Sequence, residues 1–354
     1  CEVCNIKFIG PNPSVIDAMG NKANAREMMI KAGVPVIPGS DGVIESIDKA
    51  YEVADSLGYP VMVKASAGGG GKGIRIVRSR EEMENAYESA KGEAMAGFGD
   101  DAVYMEKLIE NARHIEVQVL GDQFGNVVHL GERDCSLQRK NQKVLEESPS
   151  PALSQEKREE MCAAAVRAAK AAGYQSAGTI EFLYDKSGNF YFMEMNTRVQ
   201  VEHPVTEMVT GIDIIKEQIR IAAGEPLSVT QDDIQIRGHA IECRINAENP
   251  DKNFAPCPGK IQSLLLPAGG LGLRVDAAVF QDYVIPPYYD SMIAKVIVHG
   301  KDRQEAIAKM RRALYEFVID GIDTNIDFQG MILSHPDYIS GEFDTSFIEE
   351  KILK

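Results

Sequence analysis

This sequence of 354 residues contains no long apolar stretch. No run approaches the ~20 consecutive apolar residues that a membrane-spanning helix requires, so we expect no association with a membrane. Positive charge is also scarce, since 53 acidic residues outnumber 38 lysines and arginines and leave a net charge of −15. This surplus of negative charge opposes broad electrostatic attraction to nucleic acid or to acidic lipid, and we expect neither as a partner.

The six cysteines are widely scattered along the sequence. Cys1 and Cys4 form the one close pair, and without a second pair at a matching spacing we expect no zinc site there. Scattered cysteines favour a reduced, intracellular protein over a disulfide-bonded one. We therefore expect a cytoplasmic location.

The hydrophobic patterns and their flanking caps predict a mixed chain of helices and strands in two or three domains. Before residue 230 we expect helices over 21–32, 47–57, 79 into the nineties, 155–172 and 213–223, and strands over 6–9, 61–65, 74–77, 103–109, 114–120 and 127–131. Beyond it we expect strands over 238–245, 260–266 and 292–298 and a helix over 302–317. The predicted helix starts are Ser46, Ser154, Asp213, a capping box from Ser79 to Glu82 and another from Asp302 to Glu305.

Acidic and amide side chains are concentrated in a predicted hairpin over 179–196. Strand alternation places Thr179, Glu181 and Leu183 on one side of the first strand. On the second strand it groups Phe190, Phe192, Glu194 and Asn196. If the two sides coincide, two carboxylates converge, and such a pair favours Mg²⁺ or Mn²⁺ held jointly with substrate phosphates. The alternative is an exposed polar face of the hairpin.

Basic residues gather at one place in this acidic sequence, namely Arg133, Arg139, Lys140 and Lys143. Such a cluster indicates either a site for a small anionic substrate or a solvated basic loop. The sequence leaves both interpretations open.

A glycine-rich run occupies residues 68–73. It does not match the P-loop, because Lys72 is followed by Gly73 instead of serine or threonine. It contains a G-x-G-x-x-G spacing, but a strand follows where a dinucleotide-binding fold needs a helix. A flexible lid that covers phosphates fits better, with a plain surface hairpin as the alternative. Lys64, in the strand before the run, and Lys22 are candidate phosphate ligands.

Assembled in order, these motifs resemble those of the biotin carboxylases, members of the ATP-grasp superfamily, and above all the biotin carboxylase subunit of bacterial acetyl-CoA carboxylase. The resemblance extends over nearly the whole chain. The matching motifs are MGNK at 19–22, VKA at 63–65 with the glycine run, MEK at 105–107, RHIE at 113–116, ERDCS at 132–136, QK at 142–143, GHAIECR at 238–244 and EMNTRVQVEHP at 194–204.

The resemblance implies an α+β / α/β architecture, with an ATP-grasp fold whose two α+β lobes grip ATP and a C-terminal biotin carboxylase domain. Residues 1–20 would be a remnant of an N-terminal Rossmann-like domain that is mostly absent, and 231–354 the C-terminal domain. Residues 21–230 would be the ATP-grasp domain, with a small lid lobe at about 36–108. Because that N-terminal domain contributes to the biotin side of the site in the family, we expect ATP binding to persist and carboxylation to be weak or absent in this chain. Full turnover in a bicarbonate-dependent ATPase assay with free biotin would contradict this expectation.

The resemblance also implies the residues of the site. ATP would contact Lys22, Lys64, Gly70, Gly71, Glu106, Lys107, Ile109, His114, Asn141, Glu181 and Glu194. Mg²⁺ or Mn²⁺ would be held by Glu181, Glu194 and Asn196. Bicarbonate would be held by Lys143, Arg198, Gln200 and Val201, with Glu202 as its general base, and Arg244 would stabilise the biotin enolate. His203 and Pro204 are interpreted as structural.

Two residues of this chain, Asn141 and Lys140, depart from the family pattern. Asn141 stands where many members have histidine, and Lys140 where arginine is common, so we expect altered nucleotide contacts. The sequence has no Met-Lys-Met biotin-attachment motif, since Ala308 precedes Lys309 and Met310. Biotin would therefore arrive on a separate carrier protein.

The implied reaction is ATP- and bicarbonate-dependent carboxylation of biotin, the first half-reaction of acetyl-CoA carboxylase. The implied partners are the biotin carboxyl carrier protein, carboxyltransferase subunits and a second copy in a homodimer. Two alternatives are a different ATP-grasp carboxylate ligase and an ATP-binding module with little turnover.

Overall fold

The structure is a computed structural model, and it describes residues 1–66 and 73–354. The helices are α1 (Pro13–Gly20), α2 (Lys22–Lys31), α3 (Ile47–Leu57), α4 (Met83–Phe98), α5 (Gln155–Ala171), α6 (His203–Thr210), α7 (Ile214–Ala222), α8 (Arg303–Glu316), α9 (Ile326–Ser334) and α10 (Pro336–Ser340). Short 3-10 turns lie at Glu2–Cys4, Arg80–Glu82, Gln231–Asp233 and Pro250–Lys252, and a π turn at Ile348–Ile352. None of the helices in these ranges is both long and apolar enough to cross a bilayer.

The strands before residue 230 are β1 (Val61–Ala65), β2 (Ile74–Val77), β3 (Val103–Lys107), β4 (Arg113–Gly121), β5 (Val127–Arg139), β6 (Gln142–Ser148), β7 (Ser176–Tyr184) and β8 (Phe190–Asn196). Those after it are β9 (His239–Asn246), β10 (Glu248–Asn249), β11 (Ala255–Pro256), β12 (Gly259–Lys260), β13 (Ser263–Leu265), β14 (Leu273–Ala277), β15 (Val284–Ile285), β16 (Met292–Gly300) and β17 (Val318–Asp320).

One large antiparallel sheet organises the molecule. Its strand order is β14-β16-β9-β6-β5-β4-β7-β8, and the pairing of β6 with β9 carries the sheet across residue 230. A separate three-stranded sheet, β2-β1-β3, packs with α3 and α4 around its own apolar core. This smaller unit is the small lobe, and it follows α1 and α2 in the chain.

Two further apolar cores cover the large sheet. The core beneath β4, β7 and β8 includes Met29 of α2 and Met161 of α5. The core beneath β9 and β16 includes Met310 of α8 and Ile332 of α9. Burial of these aliphatic and thioether side chains, at roughly 1.5–3 kcal/mol each, provides the main force that holds the helices on the sheet.

Local capping signals predicted several elements correctly. Helix α3 begins and ends as predicted, and the Ser46 hydroxyl accepts a hydrogen bond from Lys49 N. Ser154, Asp213 and Asp302 likewise cap α5, α7 and α8 through their side chains. Strands β1 and β2 have the predicted bounds.

Other local predictions were wrong. Residues 6–9 form no strand, and Ile6, Phe8 and Ile9 are 60%, 51% and 49% exposed. The Ser79 side chain makes no capping bond, because a 3-10 turn precedes α4 and the Glu82 carboxylate accepts from Arg78 N instead. The predicted strand over 260–266 is divided between β12 and β13.

The basic segment is a strand hairpin and not a loop. Strand β5 continues to Arg139, and Arg139 pairs with Gln142 of β6 around the two-residue turn Lys140-Asn141. Both turn residues have positive φ, 48° and 63°, as a type I′ hairpin turn requires. Asparagine adopts this conformation more readily than most residues, which gives Asn141 a structural reason for its position.

The predicted glycine lid, including Gly70 and Gly71, lies outside the described residues. Gly73, at its end, has φ of +71°, and a Cβ there would lie 2.8 Å from Ala65 Cβ. Glycine is therefore required where the run joins β2.

Candidate active site

A row of charged side chains crosses four neighbouring strands of the large sheet. Glu194 on β8 is paired directly with Glu181 on β7, Glu181 with Glu116 on β4, and Glu116 with Arg133 on β5. Residues that are directly opposite in antiparallel strands project from the same face. The predicted convergence of Glu181 and Glu194 is therefore present in the strand register.

A bulge in β8 changes one detail of that prediction. The register shifts so that Phe192 opposes Phe182 while Glu194 opposes Glu181. Since Phe182 and Glu181 are adjacent on β7, Phe192 and Glu194 lie on opposite faces. Phe190 and Phe192 accordingly pack in the core with Met195, and placing them on the side of Glu194 and Asn196 was wrong.

Glu181 is the most highly connected carboxylate of the row. Its Oε1 accepts hydrogen bonds from Asn196 Nδ2 at 2.8 Å, Gln200 Nε2 at 3.0 Å and Lys143 Nζ at 3.2 Å. His114 Nε2 lies 3.2 Å from Oε2. Burial alone would raise the pKa of Glu181, but the nearby His114 and Lys143 hold it far below its usual value. Burial would lower the pKa of His114, and the Glu181 charge raises it instead.

Lys143 lies at the centre of three carboxylates. Its Nζ is 2.6 Å from Glu116 Oε2, 3.2 Å from Glu181 Oε1 and 2.5 Å from Glu202 Oε1. Although burial opposes the charged form, Glu116 and its other acidic neighbours raise the pKa of Lys143 well above its usual range. Burial likewise opposes ionisation of Glu116, yet Lys143 and Arg133 lower the pKa of Glu116 to about 2. Lys143 and Glu116 are therefore both ionised at neutral pH.

Glu202 is held between two cations. It is fully buried, with Lys143 on Oε1 and Arg244 Nη2 at 2.9 Å from Oε2. It immediately precedes α6, whose first turn contains Pro204, and the Val201 carbonyl accepts a hydrogen bond from Lys295 Nζ at 2.7 Å. Arg244 on β9 also donates from Nε to Glu146 Oε1 at 2.6 Å. The loop ahead of α6 is thus fixed to β6, β9 and β16.

Arg198 is exposed at the open side of this group. Its Nη1 donates to Gln200 Oε1 at 2.8 Å, and its Nη2 lies 3.4 Å from Asn196 Oδ1. Gln200 in turn donates to Glu181. The predicted bicarbonate residues Lys143, Arg198 and Gln200 therefore surround the same carboxylates.

The other predicted nucleotide residues lie in the small lobe, in the segment that follows β3, and on α2. Lys64 on β1 forms an ion pair with Glu106 on β3, and both side chains are almost fully buried. Lys107 donates to the carbonyls of Gly58 and Tyr59 at 2.9 and 3.1 Å. Ile109 follows β3 and is half-buried. Lys22 Nζ, on α2, lies 3.9 Å from Glu194 Oε2.

Asn141 is exposed at the β5–β6 turn, directly before Gln142, the first residue of β6. Its side chain makes no hydrogen bond to the described residues. The structure gives it a conformational role, and its predicted contact with the nucleotide stays a prediction.

The side chains of Glu181, Glu194 and Asn196 provide oxygen donors that suit Mg²⁺ or Mn²⁺. Glu194 is 39% exposed at its side chain and is paired with the buried Glu181 on one face, so Glu194 forms the open side of this pair. A tighter group of potential ligands, His114, Glu116 and Glu181, lies deeper, but Lys143 and Arg133 already bind its carboxylates. The donor set therefore fits a divalent ion that is shared with phosphates at the Glu181–Glu194 edge.

Two residues of the site were not recognised from the sequence. Glu116 received no role, and Arg133 was grouped with a basic cluster that indicated either a site for a small anion or a solvated loop. Arg133 is fully buried and donates to Glu116 Oε1, Gln118 Oε1, Thr206 Oγ1 and Thr179 Oγ1 at 2.6–3.2 Å. The alternation of His114, Glu116 and Gln118 along β4 was the available signal for a polar face.

Comparisons with known proteins agree with this geometry. Residues 21–230 match the family described as "Carbamoyl-phosphate synthase L chain, ATP binding domain", and residues 242–350 match "Biotin carboxylase C-terminal domain". Biotin carboxylase 1 of Bacillus subtilis is 60% identical over 350 residues, which cover 99% of this chain and 78% of that protein.

Two solved structures are also closely similar. A biotin carboxylase–βγ-ATP complex from Campylobacter jejuni superimposes with a TM-score of 0.94 at 52% identity, covering 99% of this chain and 78% of that one. The biotin carboxylase domain dimer of 2-oxoglutarate carboxylase from Hydrogenobacter thermophilus, in complex with MgADP, ADP and bicarbonate, has a TM-score of 0.93 at 53% identity and coverages of 99% and 77%.

Proposed function

The chain belongs to the biotin carboxylase family of ATP-grasp ligases, which carboxylate biotin at the expense of ATP, and we propose how its own residues perform that reaction. The observation that carries the proposal is the position of Glu202, a fully buried carboxylate bound by Lys143 at 2.5 Å and by Arg244 at 2.9 Å. Two cations are thereby concentrated beside one potential base. Such an arrangement suits a reaction that both deprotonates and binds an anion.

Bicarbonate is the anion that this site would take. Lys143, Arg198 and Gln200 would bind its oxygens, with the Val201 backbone beside them, and Glu202 would accept its proton. The freed oxygen attacks the γ-phosphorus of ATP, the bond to the β-phosphate oxygen breaks, and ADP leaves. The products are ADP and carboxyphosphate, with the proton on Glu202.

ATP would lie between the small lobe and the large sheet. Lys64 and Lys22 would contact phosphates, His114 would lie beside the nucleotide, and Glu106, Lys107 and Ile109 would surround the adenine. A divalent ion at Glu181, Glu194 and Asn196, Mg²⁺ or Mn²⁺, would offset phosphate charge during transfer. Gly70 and Gly71 would cover the phosphates.

The second step needs a donor for the ureido oxygen of biotin. Arg244 carries fixed N–H donors and stays charged, so it suits the negative charge that develops on that oxygen. Carboxyphosphate would release CO₂ and phosphate beside it, the phosphate would take the proton of the ureido nitrogen, and that nitrogen would bond to CO₂. The enclosed site would keep water away.

Biotin would come from a separate carrier protein, and carboxyltransferase subunits would use the carboxylated product. Acetyl-CoA is the acceptor we expect, although the Hydrogenobacter relative belongs to a 2-oxoglutarate carboxylase. That relative is a dimer, and we expect this chain to dimerise too.

Glu202→Gln tests the proposal. The wild-type chain is expected to form ADP from MgATP only when bicarbonate is present, and free biotin should raise the rate weakly, in keeping with the weak carboxylation expected of this chain. The variant keeps the shape of the side chain but cannot accept the proton, so ADP formation should fall at least 100-fold, in keeping with the usual contribution of a general base. ATP affinity should change less than threefold.

Glu84→Gln, an exposed substitution on α4, is the matched control and should equal the wild type. Bicarbonate-dependent ADP formation that survives Glu202→Gln at the wild-type rate would refute the role of Glu202. Bicarbonate dependence without any effect of biotin would leave the role of Glu202 standing and would contradict the proposed second step at Arg244.

A further inference from the structure

Two fully buried glutamates behind Arg244 take no part in the steps above. Glu146 on β6 and Glu242 on β9 are directly paired across the two strands, and neither has any exposed surface. Directly paired residues project from the same face of a sheet, so both carboxyl groups enter the same interior space. Glu242 is two residues from Arg244 on the same strand, and therefore also on the same face.

Most of the oxygens of this pair have no partner. Arg244 Nε donates to Glu146 Oε1 at 2.6 Å. Within residues 1–66 and 73–354, Glu146 Oε2 and both carboxyl oxygens of Glu242 have no hydrogen-bond partner. A buried carboxylate that is ionised and unpaired costs several kcal/mol, so two negative charges at this position are not compatible with one guanidinium.

The surrounding charges do not neutralise the second acid. The titratable and charged groups that interact with the pair are Cys135 on β5, Lys143 on β6, Cys243 and Arg244 on β9, Lys295 on β16 and Glu202 before α6. Helix α6, which packs against β6 and β9, also carries His203 and Glu207. Lys143 is already surrounded by three other carboxylates. Lys295 binds the Val201 carbonyl and lies 3.6 Å from Asp276.

The electrostatics agree with the geometry. Burial raises the pKa of Glu146 to about 7, against the lowering effect of Arg244. Burial and then the charge of Glu146 raise the pKa of Glu242 well above its usual range. This is the expected behaviour of two acids that share one site.

We propose that Glu146 and Glu242 form a carboxyl pair that retains one proton at neutral pH and positions Arg244. Ionised Glu146 fixes Nε, and neutral Glu242 lies beside it without adding a second charge. The Nη atoms of Arg244 are thereby directed toward Glu202 and the position of the biotin ureido oxygen. The pair touches neither substrate, so both are positioning residues, and the inference rests on the proposed role of Arg244.

The retained proton is tested by thermal stability against pH. A carboxyl group whose pKa is raised by folding stabilises the protein at low pH, and this stability is lost as pH rises through the folded pKa. This stability is lost over a pH range that begins at the ordinary glutamate pKa of 4.5 and ends at the raised pKa of the folded state, which is about 7 for Glu146. The pKa of Glu242 is also raised well above its usual range. Glutamine resembles the neutral form of the acid, so Glu242→Gln removes the titration while keeping the shape.

The Tm of Glu242→Gln should therefore rise relative to wild type by roughly 3–6 °C between pH 5 and pH 8. Glu84→Gln should follow the wild-type curve at every pH. Parallel curves for wild type and Glu242→Gln would overturn the proposal, and this measurement needs no turnover.

Positioning is tested at Glu146. The Nε–H NMR signal of Arg244, assigned by its loss in Arg244→Lys, should be protected from exchange in wild type and in Glu146→Gln, which can still accept. It should lose protection in Glu146→Ala. Biotin-dependent ADP formation should fall at least tenfold in Glu146→Ala and recover in Glu146→Gln, with bicarbonate-dependent, biotin-free ADP formation changed less than threefold.

An Arg244 signal that is unchanged in Glu146→Ala would overturn the positioning role. Absence of ADP formation in the wild type would instead count against the proposed function, and the NMR and Tm measurements would still decide the inference.

Discussion

Lys143 determines the charge balance of the site because one ammonium group lies within 3.2 Å of three buried carboxylates. Lys143→Met keeps most of the aliphatic side chain but removes from Glu116, Glu181 and Glu202 the cation that all three share. Removing one partner of buried ion pairs costs about 3–5 kcal/mol, so we expect a loss of that size in urea denaturation at pH 7. The loss should shrink as pH falls, because protonated carboxyl groups no longer need the ammonium group.

Lys140→Met is the matched control for this substitution. Lys140 is exposed at the β5–β6 turn, three residues from Lys143. Its replacement should change the free energy of unfolding by less than about 0.5 kcal/mol. Equal stability of the two variants would contradict the central role of Lys143.

At the scale of single elements, the β5–β6 hairpin positions Lys143, and its turn depends on positive φ at Asn141. Asn141→Gly should leave stability within about 0.5 kcal/mol of wild type, because glycine adopts this conformation freely. Asn141→Val should cost about 1–2 kcal/mol, since a β-branched side chain clashes there. Chemical denaturation of the two variants measures the difference, and equal stability would refute the role of the turn.

Elements with local signals were predictable from the sequence, and elements that depend on distant partners were not. Ser46 caps the start of α3 and Gly58 caps its end, and each signal acts within one helical turn, so both predicted ends were correct. The second half of β5 was interpreted as a loop because its pairing with β6 and the burial of Arg133 arise only after folding. Residues 6–9 have the composition of a strand but no partner strand in the described structure.

The residues of the site also divide into those with a local sequence signal and those that depend on distant strands. Alternation brought Glu181 and Glu194 together correctly, while the bulge in β8 moved Phe192 to the other face. Glu116, Glu146 and Glu242 were missed because an acidic residue in a strand usually faces solvent, and only the full sheet buries these three.

At the scale of the whole molecule, the large sheet joins residues on both sides of position 230 through β6 and β9. Separating the two sides would expose both strand edges and the charges of Glu146 and Arg244. We therefore expect the large sheet to unfold in one cooperative transition, with coincident curves from far-ultraviolet circular dichroism and from tyrosine fluorescence. Hydrogen exchange that separates β9 from β6 by more than about 2 kcal/mol of opening free energy would contradict this.

A second set of side-chain contacts across position 230 predicts how the free energy of unfolding depends on pH. Glu147 on β6 accepts from His239 Nε2 at 2.6 Å and from Arg303 at 2.6 and 3.0 Å. Burial opposes its ionisation, yet His239 and Arg303 lower the pKa of Glu147 to about 2. The pKa of Glu147 in the folded chain is thus below its unfolded value of 4.5. The ionised carboxylate therefore stabilises the fold fully above pH 4.5, and this stabilisation is lost as pH falls through about 2.

Such a shift corresponds to about 3 kcal/mol at neutral pH. Glu147→Gln should therefore destabilise the chain by about 3 kcal/mol at pH 7, with a deficit that declines steadily below pH 4.5, in urea denaturation series at each pH. Glu84→Gln should match wild type throughout, since its side chain is exposed. A deficit for Glu147→Gln that stays constant down to pH 3 would mean that packing, and not the charge on Glu147, joins the two halves of the sheet.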